Sequence, residues 1–199
     1  PIIQEASQLA IENNVDIPWI LQTIFDIRKK SEIPLILMGY INPILKYGLD
    51  KFIVDCEIAG VDGLIIPDLP PEEAGRLLKI ANNRGICVIL LVAPNTKSER
   101  ISKISKLSGT LIYCVSILGI TGNSEVNIGE LRKYLKRVKE NSCCPFIVGF
   151  GIKNREDVVC INEIADGCVI GSAIINHLKG SIDPVKSVGN YINKLTKDI

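Results

Sequence analysis

Pro145-Phe-Ile-Val-Gly149-Phe150-Gly151-Ile152 and, after a helical connection, Asp166-Gly-Cys-Val-Ile-Gly171-Ser172-Ala-Ile-Ile175 decide the fold. Each segment is an apolar, β-branched run that ends in glycine, and the connection between them has the pattern of an amphipathic helix. The unit reads as strand, helix, strand with glycines at both strand ends. Glycine lets a backbone come close to a ligand, and the N–H groups that open a helix attract anions, so the pair predicts a phosphate site. In a (β/α)₈ barrel the loops after the last two strands commonly form such a site.

Upstream of this unit, strand and helix signals alternate. Strands are expected near Leu35–Tyr40, Gly63–Pro67, Ile86–Val92, Thr110–Val115, Pro145–Val148 and Gly167–Ile170, with helices between them. Alternation of this kind means parallel strands. The strands are continuous Ile/Leu/Val runs, as a parallel sheet covered on both faces requires. Two arrangements fit, an open doubly wound sheet and a barrel. An open sheet with a dinucleotide site would carry Gly-x-Gly-x-x-Gly after its first strand, whereas here the glycines follow the last three. The barrel is favoured: an α/β (β/α)₈ TIM barrel in one domain over residues 1–199. A complete barrel takes about 250 residues, and Pro1 falls directly inside a helical pattern. Six parallel strands are therefore expected here, with the first two βα units preceding Pro1.

Helix boundaries carry their own signals. Asp16 reads as an N-cap for a helix running through Trp19 to Arg28-Lys29-Lys30, with Trp19 packed inward. Thr96-Lys97-Ser98-Glu99 fits a capping box, Asn154 precedes Glu156 and Asp157, and Asp183-Pro184 gives an N-cap with proline at the first helical position. Ile2, Ile3, Ala6, Leu9 and Ala10 recur at helical spacing near the start.

Bulk properties narrow the function. The chain has 199 residues, 47% of them hydrophobic and 23% charged, and a formal net charge of +1. That balance lacks the basic excess of nucleic-acid binders, and the longest apolar runs are strand-sized, too short for a bilayer. Neither nucleic acid nor membrane is an expected partner. No charged segment leads into an apolar run at the start, so a reducing compartment is expected, the cytoplasm or a plastid stroma. The seven cysteines form no Cys-x-x-Cys pair and read as small buried hydrophobes. His177, the only histidine, has no neighbour at metal spacing. No metal site is expected.

At the strand ends stand Tyr40 with Asn42, Pro67-Asp68, Pro94-Asn95, Ser116 through Gly122, Phe150-Gly151 and Gly171-Ser172. Asp68 is the only carboxylate there. It can act as a general base, or it can order a loop in which Pro70-Pro71 starts a helix and Glu72-Glu73 favour the positive end of that helix. The stretch Gly119–Ser124 suits a lid closing over phosphate, or a plain surface loop.

The chain resembles the tryptophan synthase alpha chain along its whole length. The matching motifs are Pro1-Ile-Ile-Gln-Glu-Ala-Ser7, Tyr40-Ile-Asn-Pro-Ile44, Ala59 through Ala74, Ala93-Pro-Asn-Thr96, Tyr113-Cys-Val-Ser116, Gly119-Ile-Thr-Gly122, Val148-Gly-Phe-Gly-Ile-Lys153 and Ala165 through Ala173. The resemblance implies retro-aldol cleavage of indole-3-glycerol phosphate to indole and glyceraldehyde 3-phosphate, a lyase step of tryptophan biosynthesis with no cofactor in this chain. It implies a pyridoxal-phosphate beta chain as partner in an α₂β₂ complex, facing Tyr40–Pro43 and the Asp68 loop. The phosphate would sit on Gly122, Gly151, Gly171 and Ser172. The substrate pocket would comprise Met38, Tyr40, Ile65, Leu91, Tyr113, Thr121, Phe150 and Ile170, with Tyr113 near the catalytic acid. The family's catalytic glutamate and aspartate would both precede Pro1, so no catalytic residue is expected within 1–199, and this stretch alone would be inactive. Gly39 and Ile41 replace bulkier family residues and would loosen one side of the pocket. A non-catalytic module that binds phosphate or activates a beta chain is the alternative.

Overall fold

The computed structural model describes residues 2–115, 128–149 and 151–197. Its strands are β1 (Ile36–Met38), β2 (Gly63–Ile65), β3 (Cys87–Val92), β4 (Ile112–Val115), β5 (Phe146–Gly149) and β6 (Gly167–Val169). All five pairings are parallel, and spatial order equals sequence order. A sheet wound this way, each strand beside its predecessor, curls into part of a barrel, as the sequence predicted.

Helices α1 (Ile2–Glu12) and α2 (Ile17–Arg28) precede β1, and α3 (Ile41–Tyr47) and α4 (Leu49–Ala59) separate β1 from β2. Then α5 (Gly75–Asn82), α6 (Ser98–Ser108), α7 (Ile128–Asn141) and α8 (Arg155–Asn162) alternate with the strands, and α9 (Ser172–Leu178) and α10 (Pro184–Thr196) follow β6. The core lies between the sheet and these helices. Leu64, Val88, Val92, Ile112 and Val148 project from the strands into Ile53, Leu77, Ile101 and Leu135, all essentially fully buried. Each such side chain contributes about 1.5–3 kcal/mol of transfer free energy.

Polar ties fix the helices to strand ends. The Arg28 guanidinium donates to the carbonyls of Gly60, Ser31 and Ile33 and pairs with Asp62 at 2.5 Å, while Asp62 accepts the Leu35 N–H at 2.7 Å. This staple locks α2 to the entry of β1. On the far side, Tyr134 donates to the Val92 carbonyl at 2.9 Å and Ser108 donates to that of Val88 at 3.0 Å.

Asp16, Asn154 and Asp183 cap α2, α8 and α10 as expected, Asn154 in a full capping box with Asp157. Three expectations are corrected. Thr96 makes no capping box: its hydroxyl accepts the Ala93 N–H, and Lys97 stands at the N-cap of α6 without a side-chain cap. Pro70 and Pro71 start a turn, and the helix begins only at Gly75. Trp19 is 54% exposed, because Leu21 and Ile24 form the buried stripe of α2 and leave Trp19 outside it. The cysteine expectation holds fully only for Cys56 and Cys114; Cys143 is exposed, the other four are half-buried, and all seven are unpaired. His177 stacks on Tyr191, ring centroids 4.1 Å apart.

Candidate functional site

Register puts four of the expected pocket residues, Met38, Ile65, Leu91 and Tyr113, on one face of the sheet. Met38 pairs with Ile65, Leu91 with Tyr113, and Gly149 with Val169. Side chains alternate faces along a strand, and neighbours in register share a face. Ile65 pairs with Ile89, two residues before Leu91, and Val115, two residues after Tyr113, pairs with Gly149. Met38, Ile65, Leu91, Tyr113, Gly149 and Val169 therefore all point to the side opposite the buried helix layer. Val169 is the residue that sequence reading passed over. Ile170, chosen instead, packs against the helix-side core. The period of two puts Val169 on the face of Gly167, and only the pairing of Gly167 with Ile147 shows which face that is.

Tyr113 crosses from β4 to β5. A Cβ built on Gly149 would meet the Tyr113 hydroxyl, with Cζ only 2.6 Å away, so glycine at 149 makes room for the ring. Burial pushes the Tyr113 hydroxyl above its ordinary pKa, so the group is a neutral donor and acceptor facing the concave side.

The structure describes the backbone at two of the expected phosphate-binding glycines. Gly151 has φ +50°, in the left-handed region, and Gly171 is the N-cap of α9 with Ser172 as its first residue. Among the described residues, a Cβ at either position would meet nothing within 4 Å. In the first turn of α9 the Ile174 N–H donates to the Gly171 carbonyl at 3.0 Å, and the N–H groups of Ser172 and Ala173 precede that first bond. Gly122, Thr121 and Phe150, together with the Gly119–Ser124 stretch, lie outside the described residues.

At the other edge, Met38, Tyr40 and Ile65 line one apolar cavity of about 180 Å³ together with Gly39 and Pro43. Asp68 lies beside it in sequence but is engaged: its carboxylate accepts the Ile41 N–H at 2.9 Å, at the start of α3. Of the two sequence readings, the loop-ordering role has a visible contact. Among the described residues no cluster of His, Cys, Asp and Glu could hold a metal ion, and no helix is long and apolar enough to cross a membrane.

The arrangement is matched by known proteins. The family model of the tryptophan synthase alpha chain matches residues 1–197. The tryptophan synthase alpha chain of Petrotoga mobilis is 41% identical over all 199 residues, which span 77% of its length. The structure of tryptophan synthase subunit alpha from Legionella pneumophila superposes with a TM-score of 0.89 at 34% identity, covering 98% of this chain and 74% of that one. A chain from the tryptophan synthase α₂β₂ complex of Pyrococcus furiosus gives 0.88 at 30% identity, covering 98% and 78%. Matches of this length and identity, on a half-barrel whose strand-end glycines stand open, place the chain in the tryptophan synthase alpha chain family.

Proposed function

We propose that the protein is the alpha subunit of tryptophan synthase, a lyase that cleaves indole-3-glycerol phosphate to indole and glyceraldehyde 3-phosphate. The open backbone at Gly151 and Gly171, at adjacent strand ends, is the observation that carries this reading. Phosphate would rest on N–H groups at Gly151, Gly171 and Ser172, joined by Gly122. The indole ring would lie along the apolar face of Met38, Ile65, Leu91 and Val169. Binding energy from the phosphate then holds the glycerol chain under the Tyr113 hydroxyl, where orientation lowers the barrier.

The chemistry needs no cofactor from this chain. Pyridoxal phosphate belongs to a beta chain, the partner in an α₂β₂ assembly like that of the P. furiosus relative. The hydrogen bond from Ile41 to Asp68 joins the Tyr40–Pro43 segment to the β2 loop, so the two would meet that partner as one surface.

The engagement of Asp68 favours a second reading, because it is the one carboxylate directly at a strand end among the described residues. A module that binds phosphate or activates a beta chain without cleaving anything needs no free carboxylate. Indole release from indole-3-glycerol phosphate, measured on the full-length protein mixed with a beta chain, separates the two. Release at the background rate, with glycerol 3-phosphate still bound, overturns the lyase and leaves the module.

A further inference from the structure

Cys143 and Cys144 are the one pair of cysteines adjacent in the sequence, and they occupy the bend Ser142-Cys-Cys-Pro145 that carries the chain from α7 into β5. Both ends of the bend are anchored. The Ser142 N–H donates to the Val138 carbonyl at 2.8 Å, and the Pro145 carbonyl accepts the Ile112 N–H at 3.1 Å. Within the bend, the Ser142 hydroxyl donates to the Cys144 carbonyl at 2.6 Å and accepts the Cys144 N–H at 3.2 Å. Proline at 145 disfavours helical geometry at Cys144, so α7 stops short of the pair.

The two thiols turn to one side. Neighbouring side chains of an extended segment would point to opposite faces. Here both reach Ser105 of α6: Cys143 Sγ lies 3.4 Å from the Ser105 hydroxyl oxygen, and the Cys144 thiol donates to the Ser105 carbonyl at 3.7 Å. The Ser105 hydroxyl gives its proton to the Ser102 carbonyl at 3.1 Å and accepts the Cys143 N–H at 3.2 Å, so the Cys143 thiol is the donor in its own contact. Ser105 is fully buried, whereas Cys143 is exposed and Cys144 half-buried. The two sulfurs thus rest on one fixed backing at the surface.

Geometry limits what such a pair takes. Direct closure to a disulfide is strained, because consecutive Cα atoms are about 3.8 Å apart and a disulfide spans about 4.4–6.8 Å. One thiophilic atom bridging both sulfurs escapes that limit. Among the described residues no third His, Cys, Asp or Glu completes a metal site there, which disfavours an ion that demands four ligands. Trivalent arsenic carrying one organic group needs only two.

We propose that Cys143 and Cys144 form a dithiol site for a monosubstituted trivalent arsenical. Two As–S bonds form and two As–OH bonds break, each thiol proton leaves with a hydroxide as water, and arsenic stays trivalent. The site lies at the entry end of β5, opposite the strand ends proposed to meet phosphate and a beta chain, so it stands independently of that reading. Phenylarsine oxide is the probe, added to the reduced full-length protein and followed by native mass spectrometry. One adduct should survive a monothiol and be removed by 2,3-dimercaptopropanol. Cys143→Ser and Cys144→Ser should each weaken its retention about a hundredfold or more, since the second sulfur acts at high effective concentration. Cys160→Ser should leave it unchanged. No adduct on the unaltered protein, equal retention in either variant, or loss with Cys160→Ser overturns the proposal. Should a variant not fold, alkylating Cys143 of the unaltered protein, verified by peptide mapping, decides: the adduct should be lost, and its persistence overturns the site.

Discussion

The middle of the sheet and its last strand are built differently. Around β2 to β4 the helices α4 and α6 bury Phe52, Ile53, Cys56, Ile101 and Ile104, and every residue of β2 is buried. At the other end, each residue of β6 is only half-buried, and neither α9 nor the α1 helix that packs on it buries a single side chain. The dense middle sets the strand positions. The sparse end leaves backbone open where the proposed phosphate arrives. The described sheet thus differs along its width in how fully helices cover it.

Substitutions sharpen this contrast. Ile53→Ala or Ile101→Ala should cost about 2–5 kcal/mol in denaturant unfolding, whereas Leu178→Ala on the half-exposed flank of α9 should cost under about 1 kcal/mol. Equal losses would abolish the distinction.

Alkaline pH should strike the same dense layer. Desolvation pushes the Cys56 and Cys114 thiols from 9.0 up to about 12. The folded state holds these protons more tightly than the unfolded one, so stability is full below pH 9 and falls between pH 9 and 12. The decline is about 1.4 kcal/mol per pH unit for each thiol. Cys114→Ala should reduce the slope of unfolding free energy against pH in that window by one proton's worth, and an unchanged slope would contradict the assignment.

Nearer the site, Gly149→Ala forces the Tyr113 ring aside and should destabilise by about 1–3 kcal/mol, the usual cost of overpacking. Adding Tyr113→Ala should restore most of the loss in the same unfolding assay. At the sparse end, Gly171→Val should barely move the unfolding midpoint but weaken glycerol 3-phosphate binding about tenfold by calorimetry, since its Cβ enters empty space where ligand would approach. Gly151→Val would add backbone strain because of its φ of +50°, so Gly171 is the cleaner probe.

Much of the fold was legible in the sequence because strand period, glycine stops and three of the four cap signals are local. The fourth, at Thr96, failed because a nearer partner, the Ala93 N–H, competed for its hydroxyl. Trp19 was misread since hydrophobicity names a residue type and not a face. The site was half legible. Gly151, Gly171 and Ser172 could be named from strand-end glycines, but Val169 in place of Ile170 requires the register between β5 and β6, which no single segment encodes.

The sequence by itself determined the alternation of strands and helices, the parallel sheet and the glycines at the strand ends, all consequences of short-range periodicity and backbone freedom. Tertiary structure alone decided that Asp68 is held by Ile41, that Gly149 must yield to Tyr113, and that Gly39 borders a cavity. Each of these joins segments far apart in sequence, and such contacts exist only once the sheet has brought its neighbours into register.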